Sequence, residues 1–395
     1  MRILYFTRDY TPHDHRFLSA LSDSEHRVYF LQLEQRGHPL EDRPLPASIE
    51  QVHWSGGQKP ATLRNAPGLL LGLHKIVQQI KPHMIHAGPI QRSALLTAAS
   101  GFRPLVSMSW GYDLIRDANR NAWWRWATRF TLKNSDWLIG DCDAIHRLAV
   151  SYGMPSDRIT TFPWGIDLQH FSPPAPTIAN GAQQLPSQKT NNDPIENQPF
   201  TLLSTRSWEP IYGVDTLAQA FVLAARERPE LRLVMLGNGS QAGLLRKIFM
   251  ESGLLPSADH QPADIQSSRV IFPGQVGFEK LPHYYQSADL YLAATHSDGS
   301  SISMLEAMGC GCPVLVSDLE GNREWVTPGR NGWLFPPGDA HAMAQAILKA
   351  VDTRSQLSEM GKAAREIVEQ RADWKINFQK LLQIYQQVYD RYYTE

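Results

Sequence analysis

Long apolar runs are missing from this 395-residue sequence. No stretch reaches the roughly 18 to 20 residues that a membrane-spanning helix requires. Cysteine is scarce as well: Cys142, Cys310 and Cys312 are the three in the chain. They are too few and too badly spaced for a disulfide framework or a four-ligand zinc site, which suits a reducing, cytoplasmic compartment. Cys310 and Cys312 flank one glycine in a turn and read as small buried residues. A surplus of one charge is also lacking, since 38 Lys and Arg face 39 Asp and Glu for a net charge of -1. Nucleic acid is therefore not the expected partner, because binding a phosphate backbone calls for a basic excess. There is no Gly-x-Gly-x-x-Gly, no phosphate loop ending in Gly-Lys-Ser/Thr and no His-Glu-x-x-His, so dehydrogenase, P-loop ATPase and zinc-protease chemistries have no support. The opening Met1 to Phe6 carries one basic residue and reaches Arg8-Asp9 almost at once, which reads as a strand and not a signal peptide.

What is present is an alternation. Apolar runs at Ile3 to Phe6, Val28 to Leu33, Met84 to His86, Leu105 to Met108, Trp137 to Gly140 and Ile159 to Phe162 are separated by helical patterns, such as Leu69 to Ile80. Strands alternating with helices predict a parallel sheet. The loop Thr7 to His15, His86, and Ser109-Trp-Gly-Tyr-Asp113 follow strand ends, where a doubly wound sheet places its ligand. From Ser172 to Pro199 the sequence turns to Pro, Asn, Gln and Ser with hardly an aliphatic residue, a composition that cannot build a core and reads as a linker. The alternation then restarts with Phe200 to Ser204, Leu231 to Leu236, Val270 to Phe272, Asp289 to Ala293 and Pro313 to Val316. The expected organisation is an N-terminal Rossmann-like domain over 1–171, a linker over 172–199, a second Rossmann-like domain over 200–372 and a terminal amphipathic helix over 373–395. Two α/β domains with doubly wound parallel sheets would face a central cleft, a favoured place for ligands.

The most informative stretch is Ser297 to Asp318. Its Asp298-Gly299-Ser300-Ser301 turn leads into the helix formers Ile302 to Met308, then glycines and a strand. A helix N-terminus at the carboxyl edge of such a sheet favours anions. Ser301 and Ser303 add hydroxyls, and Glu306, among apolar neighbours, must be paired or hydrogen-bonded. A ribose would satisfy it, and so would a nearby Arg or Lys. Two further loops are expected to converge here: Arg206, whose planar fork suits a diphosphate, and Gly237-Asn238-Gly239, whose glycines permit close approach. Arg206 reads equally well as half of a surface salt bridge. The segment Asn121 to Lys133 mixes Trp123, Trp124, Trp126 and Phe130 with Arg125, Arg129 and Lys133. This is the pattern of a helix lying on an anionic membrane, or of a cover helix packing Trp123, Ala127 and Phe130 inward.

These residues resemble the retaining glycosyltransferases of family 4, which have the GT-B fold. The run Asp298-Gly-Ser-Ser-Ile-Ser-Met-Leu-Glu306-Ala-Met-Gly-Cys-Gly-Cys-Pro313-Val is similar to the family's Glu, seven residues, Glu, then Ala-Met-Ala-x-Gly-x-Pro-Val. Pro163-Trp-Gly-Ile-Asp167, Leu233-Val-Met-Leu-Gly237-Asn-Gly239 and Gly321-Asn-Arg-Glu324 through Asn331-Gly-Trp-Leu-Phe335 resemble further family motifs. The likeness is dense from Phe200 to Gly338 and mainly architectural over Met1 to Asp167. It implies a nucleoside-diphosphate sugar as donor, expected to be UDP-linked, with Arg206 on the diphosphate and Glu306 on the ribose. Asp298 with the backbone of Gly299 to Ser301 would hold the sugar, and the loop near Val276 the base. It also implies transfer with retention, no metal and no separate cofactor. The acceptor would be a glycan or glycolipid on the N-terminal domain, as in surface polysaccharide assembly at the inner face of a membrane.

Three departures stand out. No lysine follows in Arg206-Ser-Trp-Glu-Pro-Ile-Tyr212-Gly213, where the family carries a phosphate-binding one. The first loop has His13-Asp-His15-Arg16 in place of a glycine pair, so His15 or Arg16 is a candidate for the missing charge. The family's His-Gly motif reads Trp110-Gly111-Tyr112-Asp113, which leaves His86 and Asp113 as candidate catalytic groups, with Asp113 favoured for acceptor contact. A sugar-nucleotide epimerase of the same fold and a catalytically impaired nucleotide-binding scaffold are the competing readings.

Overall fold

A computed structural model describes residues 1–34, 41, 43–58, 60–174, 198–255 and 268–394. The chain divides into two compact units, Met1–Pro163 with Ile376–Glu395, and Trp164–Lys375.

The first unit holds seven strands: β1 (Arg2–Thr7), β2 (Arg27–Gln32), β3 (Glu50–Gln51), β4 (Met84–Ala87), β5 (Leu105–Met108), β6 (Trp137–Gly140) and β7 (Ile159–Thr161). They pair in parallel in the order β3-β2-β1-β4-β5-β6-β7. The second unit holds β8 (Phe200–Ser204), β9 (Leu231–Leu236), β10 (Val270–Gly274), β11 (Leu290–Ala293), β12 (Val314–Ser317) and β13 (Gly332–Phe335). Their order is β10-β9-β8-β11-β12-β13, again all parallel. Helices cover both faces of such sheets, so their strands are buried on both sides and read as continuous apolar runs. Ile3 to Phe6, Leu202, Leu203 and Val314 to Val316 are all buried accordingly. In each sheet the order reverses beside the first strand, between β1 and β4 and between β8 and β11. That reversal opens the crevice in which doubly wound sheets take ligands.

Several boundaries differ from the sequence expectation, each for a local reason. The Thr7 to His15 loop is shorter, because Thr11 caps a helix that already starts at Pro12: its hydroxyl accepts from the Asp14 N–H, and the Asp14 carboxylate accepts from the Thr11 N–H. That reciprocal pair is a capping box. The second unit begins at Trp164, ahead of the Pro-rich segment. Ile166 donates to the Ala372 carbonyl at 2.8 Å and accepts from the Trp374 N–H at 3.1 Å, and Phe171 is buried against Phe278 and Tyr285. Of the segment expected as a linker, residues 175–197 lie outside the described residues. The terminal helix Trp374–Tyr393 buries Phe378, Leu381, Ile384, Tyr385 and Val388, and from Ile376 it belongs to the first unit.

The helix Ala122–Lys133 turns Ala127, Thr128, Thr131 and Leu132 inward. Trp123 and Trp126 are left 45% and 49% exposed, so of the trio expected inward on a cover helix Ala127 and Phe130 pack on the core and Trp123 does not.

Candidate functional site

The site of the second unit is built on the carboxyl ends of four adjacent strands. Arg206 follows β8, Gly237 follows β9, Val276 follows β10 and Asp298 follows β11. Backbone bonds tie these loops together. Trp208 donates its N–H to the Asn238 carbonyl at 2.9 Å, Gln241 donates back to the Trp208 carbonyl at 2.9 Å, and Gly237 donates to Gly274 at 2.8 Å. Asn238 turns its side-chain oxygen onto the Gly239 N–H at 2.8 Å. Gly237 sits at φ +92°, in the left-handed region, and a Cβ on Gly239 would lie 2.5 Å from the Trp208 carbonyl oxygen. Both positions therefore need glycine. Val276 is half-buried against the core under the site.

Arg206 is the centre of the arrangement. One guanidinium nitrogen bonds the Asp298 carboxylate at 2.6 Å, and the other reaches Ser301 Oγ at 3.0 Å and Ser303 Oγ at 3.2 Å. The guanidinium lies 4.2 Å over the Tyr212 ring. Burial is the largest single influence and works against its charge, but the Asp298 carboxylate with Tyr212 and Tyr291 together outweigh it and raise the Arg206 pKa. Arg206 Nε is buried with no hydrogen-bond partner among the described residues. Ser303 Oγ accepts from Arg206 and also from the Tyr291 hydroxyl, the latter at 2.7 Å, which leaves its own proton to donate.

The Asp298 to Ser301 loop is held from behind. A Cβ on Gly321 would fall 2.3 Å from the Gly299 carbonyl oxygen, and the Trp325 indole N–H donates to Ser300 Oγ at 3.1 Å. Ser301 is the N-cap of the Ile302–Gly309 helix, and its hydroxyl makes no capping bond. That hydroxyl is engaged with Arg206, so the cap position faces the site. Glu306, one turn into the helix, is buried and accepts from the Tyr285 hydroxyl at 2.9 Å. The same hydroxyl lies 3.0 Å from Thr205 Oγ1. Burial, then the Glu306 charge, raises the Tyr285 pKa well above that of a free phenol, so the hydroxyl stays protonated and a donor. The Tyr285 hydroxyl is thus one partner of the Glu306 carboxylate.

The structure thus brings Arg206, Asn238, Gly299, Ser300, Ser301, Ser303, Asp298 and Glu306 to one sheet edge. His86 and Asp113 lie in the first unit, almost fully buried. His86 bonds the Tyr385 hydroxyl through Nδ1, its Nε2 is buried without a partner among the described residues, and burial lowers its pKa to about 3. The Asp113 carboxylate accepts from Ser109 Oγ at 2.6 Å and from the N–H groups of Ile90, Trp110 and Leu114 at 2.9, 3.1 and 3.0 Å. It braces the loop after β5, and burial pushes its pKa up to about 6. His15 shares a bond with Ser19, and burial lowers its pKa. Sequence reasoning passed over Tyr212, Tyr285, Tyr291 and Trp325. Nothing local marks them, because each meets the site through tertiary contact. Among the described residues, no group of three or more His, Cys, Asp or Glu side chains is placed to hold a metal ion.

Two reversal-point crevices on parallel sheets, one lined with a guanidinium, hydroxyls, a helix N-terminus and flanking carboxylates, place the chain in the GT-B fold class. Family models agree with that class: one described as glycosyl transferases group 1 matches residues 199–353, and one described as glycosyltransferase family 4 matches residues 13–170. The chain thus carries a glycosyltransferase group 1 domain and a glycosyltransferase family 4 domain. It is 27% identical over 401 residues to a D-inositol 3-phosphate glycosyltransferase of Pseudarthrobacter chlorophenolicus, covering 95% of this chain and 89% of that one. It is 30% identical over 149 residues, 38% of this chain, to the GtfA subunit of a UDP-N-acetylglucosamine–peptide N-acetylglucosaminyltransferase of Streptococcus pneumoniae. The chain spans 27% of the length of that relative, and 35% and 42% of two further curated relatives. Among solved structures, sucrose-phosphate synthase from Thermosynechococcus elongatus superposes with a TM-score of 0.76 at 18% identity, covering 99% of this chain and 100% of that one. HepE of Anabaena in complex with UDP superposes with a TM-score of 0.72 at 17% identity, covering 98% and 100%. At these identities the two structures speak for the fold. No helix among the described residues is long and apolar enough to cross a membrane.

Proposed function

We propose that this protein transfers a sugar from a UDP-linked donor to a saccharide or lipid-linked acceptor, with retention of configuration and without a metal ion. The observation that carries the reading is the convergence of Arg206, Ser301 and Ser303 with two flanking carboxylates, Asp298 and Glu306, at one crevice. A diphosphate with a sugar on each side has that distribution of charge and hydroxyls. Arg206 and the N-terminus of the Ile302–Gly309 helix would take the diphosphate, Glu306 the ribose hydroxyls, Asp298 with Gly299 to Ser301 the transferred sugar, and the Gly237 to Gly239 turn with Val276 the base side. Ligands of this chemistry occur in two related structures, HepE in complex with UDP-glucose and GtfA in complex with UDP and GlcNAc.

In the transfer, the bond between the anomeric carbon and the β-phosphate oxygen breaks and the acceptor oxygen bonds the same face of that carbon. The acceptor proton passes to the departing diphosphate. Negative charge develops on the leaving group, so fixed donors aimed there lower the barrier. Arg206, already charged and positioned by Tyr212, Ser301 and Ser303, performs that part. His86, neutral through the physiological range, and Asp113, which sets the loop after β5, would act on the acceptor side.

The test is a panel of UDP-, GDP- and ADP-sugars incubated with and without glycoside and lipid acceptors, read by nucleoside-diphosphate release and by proton NMR of the product anomer. A retained anomer, formed equally in EDTA, is expected. Stoichiometric isomerisation of the donor without acceptor would make the protein an epimerase, and no binding of any nucleotide would overturn the reading.

A further inference from the structure

A second concavity lies wholly within the first unit. It is a groove of about 320 Å³ between the Ala66–Ile80 helix and the Ala122–Lys133 helix, lined by Leu33, Leu69, Leu70, Leu95, Leu96 and Phe130 among others. Its rim exposes large apolar surface: Leu63 is 70% exposed, and Trp123 and Trp126 stand half out of the protein. Trp123, Trp126 and Phe130 stack in succession, with ring centroids 4.7 and 5.2 Å apart. An exposed apolar patch of this kind on a folded unit marks an interaction site.

One wall is charged. Arg92 is half-buried in the lining, with its guanidinium 5.4 Å from the Trp124 ring, and Arg120 lies 5.5 Å from the same ring. Neither makes an ion pair among the described residues, whereas neighbouring Arg8 is bonded to Glu34 and Arg116 to Asp117. The helix over the groove carries Arg125, Arg129 and Lys133 and no acidic residue. An apolar trough beside two guanidiniums that form no ion pair among the described residues, under a basic aromatic helix, is complementary to an anionic amphiphile. The lining residues Leu33, Gln91 and Arg92 follow β2 and β4, so the trough reaches the carboxyl edge where this sheet's own crevice opens.

We propose that this groove receives the hydrocarbon chain of a membrane lipid phosphate, with the phosphate against Arg92 and Arg120, and that this lipid is the acceptor. The inference rests on the glycosyl-transfer reading and specifies the acceptor class for it.

The experiment uses the full chain and octyl, decyl and dodecyl phosphate below their micellar concentrations, with tryptophan emission and calorimetry as readouts. Each buried methylene adds about fourfold in affinity, so two methylenes are expected to add about fifteenfold. Trp126→Glu and Leu63→Glu, both on the rim, are expected to abolish the chain-length dependence. Arg92→Gln is expected to weaken decyl phosphate about tenfold and to leave decyl maltoside unchanged. Vesicles of phosphatidylcholine with phosphatidylglycerol are expected to bind wild type and not Trp126→Glu. Affinity independent of chain length, equal competition by inorganic phosphate, or a dimer that Trp126→Glu dissolves and alkyl phosphates do not would each overturn the proposal. UDP binding, measured in the same variants, reports separately on the second unit: its absence in wild type strikes the transferase reading, and its persistence without alkyl-phosphate binding strikes the groove alone.

Discussion

Replacing Arg206 by alanine separates a ligand-binding role from a structural one. The side chain is 12% exposed and its partner Asp298 23%, so the pair is partly desolvated. Removing the guanidinium strands that carboxylate and empties the space over Tyr212, a loss of about 1 to 3 kcal/mol in folding stability. The effect on nucleotide is larger if Arg206 meets the diphosphate. Two charge-assisted hydrogen bonds at about 1.5 kcal/mol each amount to about 3 kcal/mol, or about 100-fold in affinity, less whatever Arg206 gives up in leaving Asp298. A weakening of about 30- to 100-fold for UDP is therefore expected, with Arg206→Lys intermediate because it keeps the charge and loses the fork. Calorimetry gives the affinity, and scanning fluorimetry gives the stability of the same samples. A melting temperature that falls while the UDP dissociation constant stays within about threefold would refute the reasoning and leave Arg206 as the salt-bridge partner of Asp298 alone.

Other perturbations follow from the same geometry. Asp298→Asn releases Arg206 from its counter-ion, so UDP should bind more tightly while transfer slows; unchanged UDP affinity in calorimetry would show that the pair does not compete with phosphate. Glu306→Gln should weaken UDP about tenfold and 2′-deoxy-UDP much less, and equal losses for the two ligands would remove Glu306 from the ribose. Gly321→Ala forces its Cβ into the Gly299 carbonyl and should impair sugar-nucleotide binding more than it lowers the melting temperature. His86, with its pKa lowered by burial to about 3, stays neutral when folded while the unfolded chain takes up a proton below its ordinary 6.5. The stability it confers is complete above pH 6.5 and falls by about 1.4 kcal/mol per pH unit as the pH drops toward 3, opposed by Asp113 and Asp14, whose pKa values burial raises to about 6 and about 7. The difference in melting temperature between wild type and His86→Asn should therefore narrow from pH 7.5 to 4.5; a constant difference would contradict a neutral His86.

Much of this was legible without coordinates, for reasons that also mark where legibility stops. Strands such as β5, β6, β8 and β9 are buried on both faces, so their apolar runs end where the strands end. The loops bearing Arg206, Gly237 and Asp298 follow strands, and sheet topology alone carries such loops to one edge. The two-residue β3 has no apolar signature, since Glu50 and Gln51 are both exposed. The Thr11 cap is written in the spacing to Asp14, yet the polar run around it reads as loop. Pairings across the fold leave no local trace: Tyr285 meets Glu306 from another helix, and Tyr212 lies under Arg206 beside Gly213, where a φ of +57° and a would-be Cβ 2.0 Å from the Ala294 carbonyl oxygen both call for glycine. The groove under Trp123 and Trp126 was hidden for the same reason, because its walls come from segments far apart in sequence, around Leu63 to Leu70, Gln91 to Ala99 and Trp123 to Phe130.

The sharpest consequence concerns charge. The sequence promised a cation for the diphosphate, and the fold delivers it already neutralised by Asp298. A phosphate arriving alone must compete with a carboxylate 2.6 Å away. A donor that also brings sugar hydroxyls offers Asp298 new partners at the moment Arg206 turns to the phosphate, so both groups end satisfied. Unpaired charge in a partly buried crevice is costly, and the exchange avoids it at every stage. In this arrangement Asp298 acts on selectivity as well as on the sugar. It penalises free diphosphate relative to the intact donor, and after transfer the same carboxylate, again without a sugar, favours release of the spent nucleotide.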